Sequence, residues 1–201
     1  MRGDRGPAAD LTPAQFFEQW LPSELERLGV ASMTDMVVRV NLTGEAGGSW
    51  DLVISKGALS VSPVDQARAA QVGLEMTEQD WRAIALGEPG PVDLSPPGTS
   101  PTDMLFVDAA SQGMLAAVTG LFRFEVRQYN GRTWVLQATF GQVNRAAGAA
   151  PDALIATDAA TYGAILAREL SAPEAYLDGR ISIQGDPVKG MQVGMALMPR
   201  F

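Results

Sequence analysis

The stretch Ser171–Phe201, reading SAPEAYLDGRISIQGDPVKGMQVGMALMPRF, decides how the rest of the chain is interpreted. Ser171 followed by Glu174 is a capping box, in which the hydroxyl and the carboxylate each satisfy a free backbone donor, so a short helix is predicted to begin there. Gly179 ends that helix. Polar and apolar residues then alternate from Arg180 to Gln184, which predicts a strand with one wet and one dry face.

A second helix is predicted to follow this strand. Asp186 is a good N-cap, and Pro187 has the fixed φ and the missing N–H that suit the first helical position. One apolar stripe recurs along the helix at helical spacing before Pro199, and it consists of Val188, Met191, Met195 and Met198. The stretch therefore predicts a helix, a strand and a helix with a methionine face, in that order.

This pattern of a helix, the motif A-Y/F-x-x-G-R/K-[I/L]-x-I-x-G-D and an apolar helix resembles the carboxyl terminus of the sterol carrier protein 2 (SCP2) domain. The matching residues are Ala175, Tyr176, Gly179, Arg180, Ile181, Ile183, Gly185 and Asp186. In that family a twisted sheet packs against helices, and an apolar tunnel between the layers holds a lipid, a fatty acyl group or a sterol. The resemblance implies an α+β fold with a mainly antiparallel sheet. Capping, turn formation and amphipathicity also explain every matching residue without a ligand.

The composition is that of a globular protein. The chain has 201 residues, of which 46% are hydrophobic and 19% charged, and its apolar runs are too short for a transmembrane span, so no stable membrane insertion is predicted. The first ten residues lack the apolar region of a secretory signal, and the cytoplasm is the predicted location. A net charge of −8 argues against a nucleic-acid partner.

The chain contains neither histidine nor cysteine. Their absence from the sequence excludes a Ser-His-Asp or Cys-His nucleophile, a thiolate site and an imidazole-ligated metal site. No nucleotide-binding glycine motif is present either, so neither a cofactor nor a metal is predicted. Any catalysis would rest on carboxylates, lysine, tyrosine or an external cofactor.

The first half reads as a helix, four strands and a second helix. Thr12 and Gln15 form a capping box at the start of a helix from Leu11 to Gly29, which Pro22 should kink or split. Period-two patterns then predict strands beginning at Met36, Trp50, Ala58 and Ala70, the first two as an antiparallel hairpin, and Thr77 begins the second helix.

The second half repeats this order after a proline-rich segment. Five prolines lie between Glu88 and Thr102, so this is the predicted linker. A helix from Asp103 to Val118 should follow it. Asn130-Gly131 predicts a hairpin turn between two strands, and after a further strand at Asp152 to Ala156 the next helix is capped by Thr157 or Asp158.

The two halves match at their landmarks. Trp50 and Trp134 each follow a hairpin glycine, and Thr77 before Trp81 matches Thr157 before Tyr162 with one residue inserted. We therefore predict an internal duplication of two SCP2-like copies. The predicted domains are a disordered tail (1–10), an amino-terminal half without the terminal strand-helix motif (11–90), the linker (91–102) and a carboxy-terminal SCP2-like domain (103–201). Whether the first copy encloses a cavity is left open.

The resemblance implies that the second copy binds a hydrophobic small molecule or lipid between its sheet and its helices. The predicted lining residues are Phe122, Phe124, Trp134, Leu136, Phe140, Tyr162, Ile165, Tyr176, Met191, Met195 and Met198. The favoured function is a non-catalytic binding or carrier protein. Two alternatives stay open: an enzyme that cyclises or isomerises a hydrophobic substrate in the same cavity through a carboxylate such as Asp158 or Glu174, and a scaffold or assembly module with a collapsed cavity. A homodimer is a separate hypothesis for the protein.

Overall fold

The computed structural model describes residues 7–28, 35–87, 94, 117–141 and 148–197. Within them the protein is α+β, with one open sheet and helices packed on it, as predicted. Most of the predicted linker, most of the helix predicted over 103–118, residues 1–6 and Met198 lie outside the described residues.

The strands are β1 Met36–Thr43, β2 Gly48–Ser55, β3 Ala58–Pro63, β4 Val72–Thr77, β5 Gly120–Tyr129, β6 Arg132–Phe140, β7 Ala153–Asp158 and β8 Ser182–Gly185. The helices are α1 Pro13–Gln15, α2 Leu21–Leu28, α3 Glu78–Ala85, α4 Ala159–Leu166, α5 Ala172–Leu177 and α6 Pro187–Leu197.

A single sheet runs through both halves of the chain. Within the described residues its eight strands lie in the order β3-β2-β1-β4-β6-β5-β7-β8. The pairs β1/β4 and β5/β7 are parallel, and the other neighbours are antiparallel. Because β4 pairs directly with β6, the two halves share one continuous backbone hydrogen-bond network. The mainly antiparallel sheet is therefore confirmed.

The topology of the two halves corresponds strand by strand. Each half has a hairpin (β1–β2 and β5–β6) whose first strand is paired in parallel with a later strand (β4 and β7), and that strand leads into a helix (α3 and α4). Outside this unit, β6 lies antiparallel beside β4 just as β8 lies antiparallel beside β7. The correspondence supports the predicted duplication, which stays a prediction.

When the two halves are aligned at the observed helix caps, they match without the one inserted residue that the alignment of Thr77 with Thr157 required. Thr77 caps α3 by accepting a hydrogen bond from the Asp80 N–H, and Asp158 caps α4 by accepting one from the Thr161 N–H. Trp81 therefore lies four residues after its cap, and Tyr162 lies four residues after Asp158. Of the two predicted caps for α4, the structure uses Asp158 rather than Thr157.

The first helical segment changes its winding before Pro22. Thr12 and Gln15 form the predicted capping box at the start of α1. A π-helical turn, Phe16–Trp20, then separates α1 from α2. Pro22 has no backbone N–H and so cannot donate the helical hydrogen bond expected at its position. The wider π-helical turn before it interrupts the regular α-helix, as predicted.

The two-residue turns between β2 and β3 and between β5 and β6 each consist of two consecutive residues with positive φ. The values are 51° and 75° at Lys56-Gly57, and 51° and 73° at Asn130-Gly131. Two left-handed residues give the turn a twist that matches that of the flanking strands. The predicted hairpin at Asn130-Gly131 is thus confirmed.

The junction between the halves is held by polar contacts as well as by the sheet. The Arg132 guanidinium forms an ion pair with the buried carboxylate of Asp80, and the Trp134 Nε1 donates to the Asp80 carbonyl oxygen at 2.8 Å. Asp80 belongs to α3 of the first half, whereas Arg132 and Trp134 belong to β6 of the second. These contacts fix α3 beside the hairpin of the second half.

Candidate ligand-binding site

An apolar row crosses the inner face of the sheet in the second half, beneath the helices. Leu136 on β6 pairs with Phe124 on β5, Phe124 pairs with Ile155 on β7, and Ile155 pairs with Ile183 on β8. Paired residues project on the same side of a sheet, so these four side chains form one line across four strands, about 14 Å long at about 4.8 Å per strand. We call them the apolar row. All four are only half-buried.

Two fully buried clusters flank this row. The inner cluster joins the halves and consists of Ala83, Leu94, Val126, Tyr129, Trp134 and Ala159. The outer cluster consists of Val118, Phe122, Ala138, Phe140, Ala153 and Val193. Phe124 packs against both clusters, Leu136 against the inner one, and Ile155 and Ile183 against the outer one. The row is therefore a partly accessible apolar strip between two tightly packed regions.

The two ends of the row have different surroundings. At Leu136 the row meets the inner cluster, to which α3 contributes Ala83 and Ile84. At Ile183 it reaches β8, which is the last strand of the sheet. The row is thus closed toward the first half and ends at a sheet edge on the other side.

The Gly185-Asp186 motif and Asp152 fix the start of α6 at that edge. The Asp186 carboxylate accepts from the Val188 and Lys189 N–H groups, so the predicted N-cap is confirmed. The Asp186 N–H donates to the Asp152 carbonyl oxygen at 2.8 Å. Gly185 has a φ of 90°, and a Cβ there would clash with that same carbonyl. Glycine is required at 185 for both reasons.

The start of β8 differs from the prediction. The strand begins at Ser182, because the N–H groups of Arg180 and Ile181 both donate to the Ala175 carbonyl oxygen and so complete the end of α5. Gly179, with a φ of 73°, makes this reversal possible. At the other end of α5, the Ser171 hydroxyl accepts from the Glu174 N–H as predicted, whereas the Glu174 carboxylate accepts from the Ser171 hydroxyl rather than from a backbone donor.

Helix α6 packs on the sheet through small residues rather than through Val188 and Met191 of the predicted stripe. Gly190, Val193 and Ala196 are buried, whereas Val188 is 58% and Met191 is 44% exposed. A Cβ on Gly190 would lie 2.5 Å from the Ile183 Cγ2, so the helix backbone lies directly over the outer end of the row. Val188 and Met191 of the predicted apolar stripe therefore lie on the exposed side of the helix.

The predicted lining residues whose side chains are described fall into three groups. Phe122, Trp134 and Phe140 are buried in the two clusters, and Phe124, Leu136, Tyr162 and Ile165 are half-buried. Tyr176 and Met191 are exposed, the side chain of Met195 lies outside what the structure describes, and Met198 does so entirely. The predicted set did not include Ile155 and Ile183, although the alternation from Arg180 to Gln184 placed Ile183 on a dry face. A ligand role for each of these residues stays a prediction.

The carboxylates near the helices have structural partners. A hydrogen bond from the Thr161 N–H, against the opposing effect of burial, holds the pKa of Asp158 below its usual range. A cap that is ionised in this way is poorly suited to act as a general acid. Among the described residues, no group of three or more acidic side chains could hold a metal ion.

Comparison with known families identifies the half that contains the row. The model of the SCP-2 sterol transfer family matches residues 102–198, which is just under half of the chain. We call residues 102–198 the SCP-2 segment. The match spans β5 to α6 and thus the whole apolar row of this SCP-2 segment. No curated protein matches the chain.

Solved structures of sterol carrier proteins align with part of the chain. Sterol carrier protein 2 from Yarrowia lipolytica in its apo form is 12% identical, with 44% of this chain and 74% of that chain covered and a TM-score of 0.34. Domain 2 of the Helicoverpa armigera sterol carrier protein is 21% identical, with 47% and 81% covered and a TM-score of 0.35. Sterol carrier protein 2 like 2 from Aedes aegypti is 17% identical, with 45% and 90% covered and a TM-score of 0.30. The assignment of the SCP-2 segment rests on the family model.

Within the described ranges, no helix is long and apolar enough to cross a bilayer.

Proposed function

We propose that the SCP-2 segment binds a hydrophobic small molecule, such as a lipid, a fatty acyl group or a sterol, along the apolar row, and acts as a non-catalytic carrier. The observation that carries this proposal is the half-burial of four paired apolar side chains on the covered face of the sheet. Apolar side chains on a covered sheet face are ordinarily buried. The side chains of both flanking clusters are buried in this way. The match of residues 102–198 to the model of a sterol transfer family supports the same ligand class.

The energy available from apolar contact is sufficient for binding. Burial of a palmitoyl chain at about 0.8 kcal/mol per CH₂ contributes on the order of 12 kcal/mol. Loss of translational freedom and of side-chain freedom costs about 4 to 15 kcal/mol. The difference is compatible with micromolar affinity without any charged contact.

The predicted partners and location form part of the same proposal. A net charge of −8 disfavours nucleic acid, because phosphate groups would be repelled. We place the protein in the cytoplasm on the composition of the sequence, and treat a homodimer as a hypothesis for size-exclusion chromatography.

The first test is a polar substitution in the row. Ile183→Gln is expected to weaken the binding of a fluorescent fatty acid by about tenfold or more, because about two methylene contacts at ~0.8 kcal/mol each are lost. Fluorescence titration followed by competition with palmitate and cholesterol measures the change and separates acyl from sterol ligands.

Leu59→Gln is the matched control for this test. Leu59 is a half-buried residue of β3, the edge strand at the opposite end of the sheet, and packs against the core of the first half. The substitution should leave the dissociation constant unchanged. Equal losses in the two variants, or no binding of any apolar probe by the unchanged protein, would show that the row is not the site.

A further inference from the structure

Leu94 lies within the proline-rich segment and yet is a core residue of the second half. Its side chain is 1% exposed and belongs to the inner cluster. The same cluster contains Ala83 of α3 and Ala159 of α4, so Leu94 fills the space between a helix of each half. The segment predicted to be a linker thus inserts one side chain into the interior of the protein.

A hydrogen bond holds Leu94 in this position. The Tyr162 hydroxyl donates to the Leu94 carbonyl oxygen at 3.0 Å. Tyr162 belongs to α4 and packs against the inner cluster together with Phe124 and Leu136. Phe124 and Leu136 are the two row residues nearest the closed end. They therefore pack against the same cluster as Tyr162, which holds Leu94 in place.

We propose that Leu94 is the stop at the closed end of the apolar row and so sets the length of the apolar chain that the protein accepts. This inference rests on the proposed function. A chain that enters at the edge strand β8 passes Ile183, Ile155 and Phe124 in turn and then meets the region that the Leu94 side chain fills. The residue acts as a specificity determinant, since it occupies volume that a longer ligand would need.

The test compares ligand lengths in a variant with a shorter stop. Leu94→Ala removes three carbons from the inner cluster and is expected to shift the affinity ratio of stearate to palmitate toward stearate by about fifteenfold, at about fourfold for each of the two additional methylenes. Competition of laurate, palmitate and stearate against a fluorescent fatty acid measures the ratio. If Leu94→Ala does not fold, Leu94→Val removes one carbon and carries the same prediction with a shift of about fourfold.

Leu52→Ala is the matched control, because Leu52 is also a leucine with 1% exposure but lies in the core of the first half. It should leave the ratio unchanged. A ratio that is unchanged in the Leu94 variants, or that moves equally in Leu52→Ala, overturns the role of Leu94 while the unchanged protein still binds fatty acids. If the unchanged protein binds none of the fatty acids, the proposed function fails, and the inference falls with it.

Discussion

Asp51 is a fully buried carboxylate on the face of the sheet opposite to the first-half core. Arg39 binds both of its oxygens, Nε at 2.8 Å and Nη2 at 3.1 Å, and the Asp65 N–H donates to it at 3.1 Å. Burial alone would raise its pKa, but the hydrogen bonds from Arg39 and Asp65 and the charges of Arg39 and Arg68 together lower it. The ion pair in turn holds the loop after β3, since Arg39 donates to the carbonyl oxygens of Asp65 and Arg68.

The lowered pKa predicts how stability depends on pH. The folded-state pKa of Asp51 lies below its unfolded value, and the same holds for Asp158, so both stabilise the fold above the ordinary carboxyl range. This contribution is lost as the pH falls from about 4 downward. Free energies of unfolding from urea titrations at pH 7 to 3 should therefore be flat near neutrality, where the sequence has no histidine to titrate, and should fall below about pH 4.

Asp51→Asn is the variant that separates this effect from general acid unfolding. It should lower stability by about 3 kcal/mol at neutral pH, because Arg39 is left as a buried charge without its counter-ion. It should also reduce the slope of stability below about pH 4. A variant with unchanged stability and an unchanged acid slope would contradict this account.

Alternation along the strands predicted where Arg39 and Asp51 lie but not how they are buried. Arg39 alternates with Val38 and Val40, and Asp51 alternates with Trp50 and Leu52, so the period-two pattern places both opposite the apolar face, which is correct for β1 and β2. A period-two pattern describes one strand at a time, whereas the cover over these residues comes from backbone atoms of Asp65 and Arg68 in a later loop. Likewise, Leu94 was unpredictable because a single leucine among prolines has no periodicity.

Helix α6 shows the limit of sequence reasoning at the scale of an element. Its cap at Asp186 and its first residue Pro187 were predicted correctly, because capping chemistry is local. The sequence does not indicate which face of the helix packs on the sheet, because two faces compete: a large apolar one with Met191 and a small one with Gly190. The small face packs on the sheet, since glycine lets the helix backbone approach Ile183 closely.

Two glycines of α6 make this packing testable with a matched pair. Gly190→Ala should lower the free energy of unfolding by about 1 kcal/mol, because overpacking against the Ile183 Cγ2 at 2.5 Å exceeds the gain in helix propensity. Gly194→Ala meets no atom within 4 Å and should instead stabilise the protein by up to about 1 kcal/mol. Urea midpoints of the two variants give the comparison, and a Gly190→Ala variant as stable as Gly194→Ala would show that α6 does not lie close on Ile183.

At the scale of the whole molecule, the two halves that the sequence separates share one sheet. Local patterns predicted the strands and hairpins of each half, since each depends on neighbouring residues. The pairing of β4 with β6 and the contacts of Asp80 with Arg132 and Trp134 join residues far apart in the chain, and no local pattern indicates them. The closed end of the row depends on this junction, because α3 of the first half helps to form it.

Photo-crosslinking of the full chain with a diazirine-bearing palmitate tests the site most directly. Cleavage after arginine and lysine places the four row residues in four peptides, 124–127, 133–145, 146–168 and 181–189, and the exposed Tyr176 and Leu177 in a fifth, 169–180. The account predicts that mass spectrometry finds the label on the four row peptides and that unlabelled palmitate competes it away. Label concentrated on 169–180 or on the first half, or label that palmitate does not displace, would contradict it.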